Sequence, residues 1–273
     1  MKHLLTLIMC CTLFISCKKA VTQDEKAVVP QESTPTENND WIYLFDGVST
    51  KGWRAYNGQE LPPGWIAKDS TLTFDTELGL EQDYKGGIDI VYGDEEFENF
   101  ELYLEWKLPE GGNSGIYYHL KENIPDSFPN SKCKFCLNMS PEYQLIDDAN
   151  YASIHDVTEY NISVGFENPS QLHPLQKTAS DYAMYAADES IKILHPPGEW
   201  NSSKILFTPE KVEYWLNGVK VLSFVPWSED WYARKNGGKW KDEELYGTFK
   251  SGYIGLQDHA SPIWFKNIKI RKL

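Results

Sequence analysis

Period-two alternation of apolar and polar side chains runs through the chain from Trp41 onward, and it commits that stretch to half-buried strands rather than helices. Phe100, Leu102, Leu104 and Trp106 alternate with Glu101, Tyr103, Glu105 and Lys107. Val212, Tyr214 and Leu216 lead into Asn217-Gly218, a two-residue hairpin turn, and Val219, Val221 and Leu222 continue on the return. Further short strands are expected at 41–45, 64–67, 71–74, 87–91, 114–120, 142–146, 191–194, 203–207, 252–256 and 263–271. No long amphipathic helix is legible. Ser228 to Phe249, rich in Trp, Lys and Glu around Gly237-Gly238, reads as a long loop with a short helix, a type of segment that often borders a site. Short strands separated by Gly, Pro and Asn turns predict an all-β fold, an antiparallel two-sheet sandwich.

The ends of the chain read differently. Lys2 and His3 precede the apolar run Leu4 to Ile15, which is too short for a permanent membrane span and has the form of a secretory signal. It ends in Leu13-Phe14-Ile15-Ser16-Cys17, which resembles the bacterial lipobox, with Phe14 where Leu is usual. Residues 1–17 are thus expected to be a lipoprotein signal with Cys17 as the lipid-bearing residue; the alternative is an ordinary cleaved signal with Cys17 incidental. Residues 18–40 hold almost no large apolar side chain and are expected to be a flexible linker, leaving 41–273 as one folded domain. The expected location is the bacterial cell envelope, periplasmic or at the outer-membrane surface, held to the membrane by the lipid anchor only. Cys133 and Cys136 are then the only folded-domain cysteines. Their spacing fits a local disulfide pinning the 121–141 loop, half a zinc site or a redox pair, and an oxidising compartment favours the disulfide.

Composition narrows the partner. The chain carries a formal net charge of -14, which repels nucleic acid, while 10 Trp, 16 Tyr and 12 Phe supply flat faces with hydrogen-bonding tips. No G-x-S-x-G elbow, H-E-x-x-H pair, phosphate-binding glycine loop or dinucleotide fingerprint is present. What remains is polar residues on strands. In Gly112 to Leu120, alternation sends Ile116 and Tyr118 to one face and Tyr117 and His119 to the other. In Glu142 to Asp148, Tyr143 and Leu145 point to the core, so Glu142 and Gln144 share the opposite face, a carboxylate and an amide suited to sugar hydroxyls.

With these motifs the chain resembles the 3-keto-disaccharide hydrolase domain family. The matching stretches are Leu44-Phe45-Asp46-Gly47 with Gly52-Trp53, then Asn113-Ser114-Gly115-Ile116, then Glu142-Tyr143-Gln144-Leu145-Ile146-Asp147. Gly198-Glu199-Trp200-Asn201, Leu216-Asn217-Gly218, Gly255-Leu256-Gln257-Asp258-His259 and Phe265-Lys266-Asn267-Ile268 continue them in order, across essentially all of 41–273. Two positions depart: the family often has Arg at the place of His119 and usually Arg at that of Lys266. The insertion holding Cys133 and Cys136 is also not general to it.

The resemblance implies a concanavalin A-like jelly roll holding a saccharide, and a substrate already oxidised to a ketone at C3. Such a ketone acidifies the C2 hydrogen, so a base can remove it, the C1 group leaves by elimination, and water adds back. That route needs a base near C2, an acid near the glycosidic oxygen and donors for the C3 oxygen, not the paired carboxylates of ordinary glycosidases. Motif match and strand parity assign Glu142 and His119 as base and acid in either order, with Asp147 orienting one of them. Asn113, Tyr117, Gln144, Gln257, His259 and Lys266 are expected to bind substrate, Lys266 as the main electrostatic group, and Trp200 to stack on a sugar face. No cofactor is required. His119, Glu142, Asp147 and His259 include metal-ligand types without a known spacing, and a structural calcium on oxygen ligands stays open. The rivals are a non-catalytic carbohydrate-binding module on the same sandwich and a conventional glycoside hydrolase.

Overall fold

The computed structural model describes residues 40–123, 139–163, 166–168 and 170–273. The leader 1–17 with Cys17, the linker up to residue 39, and the Cys133–Cys136 pair lie outside the described residues.

Thirteen strands are described, in two sheets, and every pairing is antiparallel. The larger sheet runs β11 (Val219–Phe224), β10 (Lys211–Leu216), β9 (Asn201–Thr208), β6 (Phe100–Lys107), β13 (Ile263–Lys272), β4 (Thr71–Phe74) and β3 (Trp65–Lys68), with β1 (Ile42–Tyr43) beside β13. The smaller runs β2 (Trp53–Ala55), β5 (Ile90–Phe97), β12 (Gly252–Leu256), β7 (Asn113–Leu120) and β8 (Glu142–Ile146). This is the antiparallel two-sheet sandwich expected from the alternation, with the jelly-roll class that the family resemblance implies. Asn217 (φ 47°) and Gly218 (φ 80°) make the left-handed pair that closes the β10–β11 hairpin. The segment 191–194 is not a strand: Ile191 and Lys192 both donate backbone N–H groups to Asp188 O, so a local turn replaces a ladder there.

The core between the sheets takes Phe100, Leu102, Leu104 and Trp106 from β6, Ile116 and Tyr118 from β7, and Tyr143 and Leu145 from β8. Buried tyrosine hydroxyls link the sheets at two places. Tyr118 OH lies 2.9 Å from Tyr214 OH, and Tyr143 OH donates to Trp215 O at 3.1 Å, tying the small sheet to the large one.

One irregularity decides what the small sheet shows to its outer side. Tyr253 pairs with Leu120 but Gly255 with Tyr117, so β7 carries one extra residue, and His119 takes φ 54° to absorb it. Gly252 permits the bulge, because a Cβ there would lie 2.3 Å from the carbonyl carbon of His119. Beyond it the alternation reverses. His119 turns inward, while Leu120 joins Tyr117, Tyr56 and Val91 in a separate outer cluster.

Candidate active site

The outer face of β7 and β8 is covered rather than open to solvent. An irregular segment follows the free edge of β8, with Ala179 N donating to Gln144 O and Tyr182 N to Glu142 O. The helix Glu229–Gly237 leads over the same face into Lys239 and Trp240, and Trp240 stacks on the buried Tyr246 at 4.4 Å. Between strand and cover is a cavity of about 200 Å³ lined by Asn113, Tyr117, Ser140, Glu142, Gln144, Tyr182, Lys239, Trp240, Gln257 and His259. Asn113, Gln144, Tyr182, Lys239 and His259 also border a wider compartment of about 410 Å³.

Glycine makes the room for the carboxyl group. A Cβ on Gly115 would lie 2.1 Å from Glu142 Oε1, so only glycine opposite Gln144 on β7 lets the Glu142 side chain lie along the sheet. Three acceptors lining this cavity, Glu142 Oε1, Asn113 Oδ1 and Gln257 Oε1, are buried with no hydrogen-bond partner. Their donor ends are held in place: Gln257 Nε2 donates to Tyr117 OH at 2.7 Å and Asn113 Nδ2 to Tyr151 OH at 3.3 Å. Unpaired buried acceptors are costly, and a ligand rich in hydroxyl groups satisfies them.

Lys239 faces Glu142 without pairing with it. Its Nζ donates to Tyr182 OH at 3.0 Å and lies 4.4 Å from the Tyr182 ring centre, 4.8 Å from Trp240 and 5.5 Å from Tyr160. Burial lowers the Lys239 pKa and the Glu142 charge pulls it back up. Burial likewise pushes Glu142 from 4.5 up to about 8, against the opposing pull of Lys239 and with a further push from Asp181. Asp181, buried beneath β8, is raised from 3.8 to about 8, also by burial.

A pH dependence of stability follows from the sign of these two shifts. Because Glu142 and Asp181 hold protons in the fold that the unfolded chain releases, their contribution is complete below their unfolded values of 4.5 and 3.8 and is lost as pH rises to about 8. Denaturant midpoints measured between about pH 5 and about pH 8 are expected to fall, and Asp181→Asn to reduce that slope. An identical slope in the variant would show that Asp181 is already ionised in the fold.

The structure brings Asn113, Tyr117, Glu142, Gln144, Gln257 and His259 to one cavity and separates four other predicted residues from it. His119 lies between the sheets, its ring 4.3 Å from that of Phe207 and Nε2 2.8 Å from Glu98 O, with its pKa pushed down to about 4 by burial. The bulge at its own position turned it inward. Asp147 is a loop anchor, accepting from Gly111 N at 2.9 Å, from Ala149 N and Asn150 N at 3.2 Å each, and from Asn150 Nδ2 at 2.8 Å. Its carboxylate does not orient Glu142. Lys266 and Trp200 are on the outer face of the large sheet, where Lys266 pairs with Glu105 at 3.3 Å and sits 4.0 Å over the Trp200 ring. Conversely, no motif marks Lys239, Tyr182 or Trp240; the Trp- and Lys-rich loop holding Gly237-Gly238 is a signal for Lys239 and Trp240 but not for Tyr182. Among the described residues, no cluster of three or more His, Cys, Asp or Glu side chains is arranged to hold a metal ion.

A two-sheet sandwich with an acceptor-rich cavity on its smaller sheet suits a saccharide, and the proteins it is similar to make carbohydrate hydrolase the class to which the chain belongs. Residues 40–271 match the family described as the 3-keto-alpha-glucoside-1,2-lyase-like domain, and the chain belongs to that family. It is 31% identical over 252 residues to the 3-keto-disaccharide hydrolase of Bacteroides thetaiotaomicron, covering 88% of this chain and 80% of the relative. Two crystal structures of candidate glycosyl hydrolases from Parabacteroides distasonis are also similar. One has 36% identity and a TM-score of 0.69, covering 86% of this chain and 94% of its own. The other has 26% identity and a TM-score of 0.57, covering 86% and 100%.

Proposed function

We propose that the chain cleaves glycosides whose sugar already carries a ketone at C3, by removing the C2 proton, expelling the C1 group and adding water. The observation that carries this reading is that Glu142, the one carboxyl group among the described residues of the cavity lining, faces Lys239 there, with burial pushing its pKa up to about 8. A conventional glycosidase needs a second carboxylate across the scissile bond, and among the described residues no other carboxylate lines the cavity around Glu142. Proton abstraction beside a ketone needs one base with a pKa near the working pH and a cation for the developing oxyanion.

In this scheme Glu142 takes the C2 proton. The electron pair moves into a C2–C3 double bond and onto the C3 oxygen, which Lys239 stabilises. Re-formation of the ketone drives a C1–C2 double bond and releases the C1 oxygen. Tyr182 is placed to protonate that oxygen: its hydroxyl accepts from Lys239, which leaves its own proton free, and it borders both compartments. Water then adds at C1, giving one proton back to the Tyr182 oxygen, and the proton held by Glu142 returns to C2. Asn113, Gln144 and Gln257 hold sugar hydroxyls.

The test is to incubate the protein with a 3-keto glucoside and with its unoxidised parent. Cleavage of the keto compound alone is expected. Cleavage of the parent would favour a conventional glycosidase, and binding of either without cleavage would favour a carbohydrate-binding module.

A further inference from the structure

Resting on the reaction just described, we infer that the wider compartment receives the leaving group and that Asp156 and Glu159 make the protein select it by charge, against acidic leaving groups. Glu142 lines only the narrower cavity, so the ring that loses its C2 proton belongs there. Tyr182, Lys239 and His259 border both spaces and mark the junction where the C1–oxygen bond lies. Past that junction the compartment of about 410 Å³ has Ile146 and Val157 as an apolar floor, Tyr151 and Tyr160 as flat walls, and Asp156 and Glu159 as the carboxylates among its described lining residues.

The charge balance of the two spaces differs. At the junction Lys239 faces Glu142 and is bound to Tyr182, so its charge serves the narrow side. Burial lowers the His259 pKa, which keeps that ring neutral. Among the described residues lining the wider compartment, Lys239 is the one cation against the two carboxylates, and it is engaged with Tyr182 and Glu142. Asp156 stays ionised, because Thr158 holds its carboxylate with side-chain and backbone hydrogen bonds, the latter 2.9 Å long. Asp156 and Glu159 are both exposed, so their field is screened by salt and acts through partial rather than full Coulomb strength. Neutral sugars and amine-bearing groups fit this lining, whereas a leaving group with a carboxylate or sulfate meets repulsion.

Three 3-keto glucosides with aglycones of equal length, ending in an amine, a hydroxyl or a carboxylate, test this. The amine and hydroxyl compounds are expected to exceed the carboxylate in kcat/KM by roughly tenfold at low salt, with the gap narrowing as salt rises. Asp156→Asn combined with Glu159→Gln should bring the three within about twofold of each other. A spread that persists in this double variant, or no spread in the natural protein, overturns the inference. Calorimetric titration of the same compounds into Glu142→Gln reads the charge order from binding alone. Ordered binding without any turnover in the natural protein would remove the proposed reaction and keep the subsite; turnover without charge order would remove the subsite and keep the reaction.

Discussion

Glu142→Gln is expected to lower turnover of a 3-keto glycoside by about two orders of magnitude or more, the usual worth of a positioned proton-transfer group. The amide keeps the shape of the side chain in the space that Gly115 leaves, so folding and substrate binding should survive. The pH profile is the sharper readout. With Glu142 at about 8, the carboxylate is the minority form at neutral pH, so kcat/KM should rise about tenfold per unit below that value and level off above it. A variant with near-natural rates, or a natural profile flat across this range, would take Glu142 out of the chemistry.

Removing the opposing charge is the second large effect. Lys239→Met keeps an unbranched chain among Tyr160, Tyr182 and Trp240 but deletes the ammonium. Loss of one oxyanion-stabilising donor typically costs about a hundredfold to a thousandfold in kcat, and a loss in that range is expected here. Because Lys239 pulls the Glu142 pKa down, its removal should also move the midpoint of the pH profile upward from about 8. A merely structural role would lower stability and leave that midpoint in place. If kcat is unaffected, the C3 oxygen is stabilised by some other group.

How much of this was legible beforehand varies from one element to the next. On β8 the alternation alone separated Tyr143 and Leu145 from Glu142 and Gln144, and the structure keeps that division. Along β7 the same rule works as far as Tyr117 and then fails, because it assumes an unbroken ladder. The extra residue at His119 is forced by the register between β7 and β12, and the close approach of Gly252 that allows it comes from a strand far along the chain. Trp200 and Lys266 were drawn toward the site by motif matching. They do lie together, but on the outer face of the other sheet, a distinction that motif order cannot make. Lys239 stood in no motif at all. It reaches the site because the helix Glu229–Gly237 and the stacked pair Trp240 and Tyr246 carry its loop over β8.

By itself the sequence determined the all-β class, the β10–β11 hairpin, the family and which face of β8 turns away from the core, since each of these is set by local burial preference or by residues close together in the chain. The tertiary structure alone decided that His119 is a core residue, that Asp147 anchors a loop, and that the cation facing Glu142 is Lys239 rather than Lys266. Those outcomes depend on strand register and on which loop packs over which sheet, and such long-range contacts leave no periodic trace in the residues that make them.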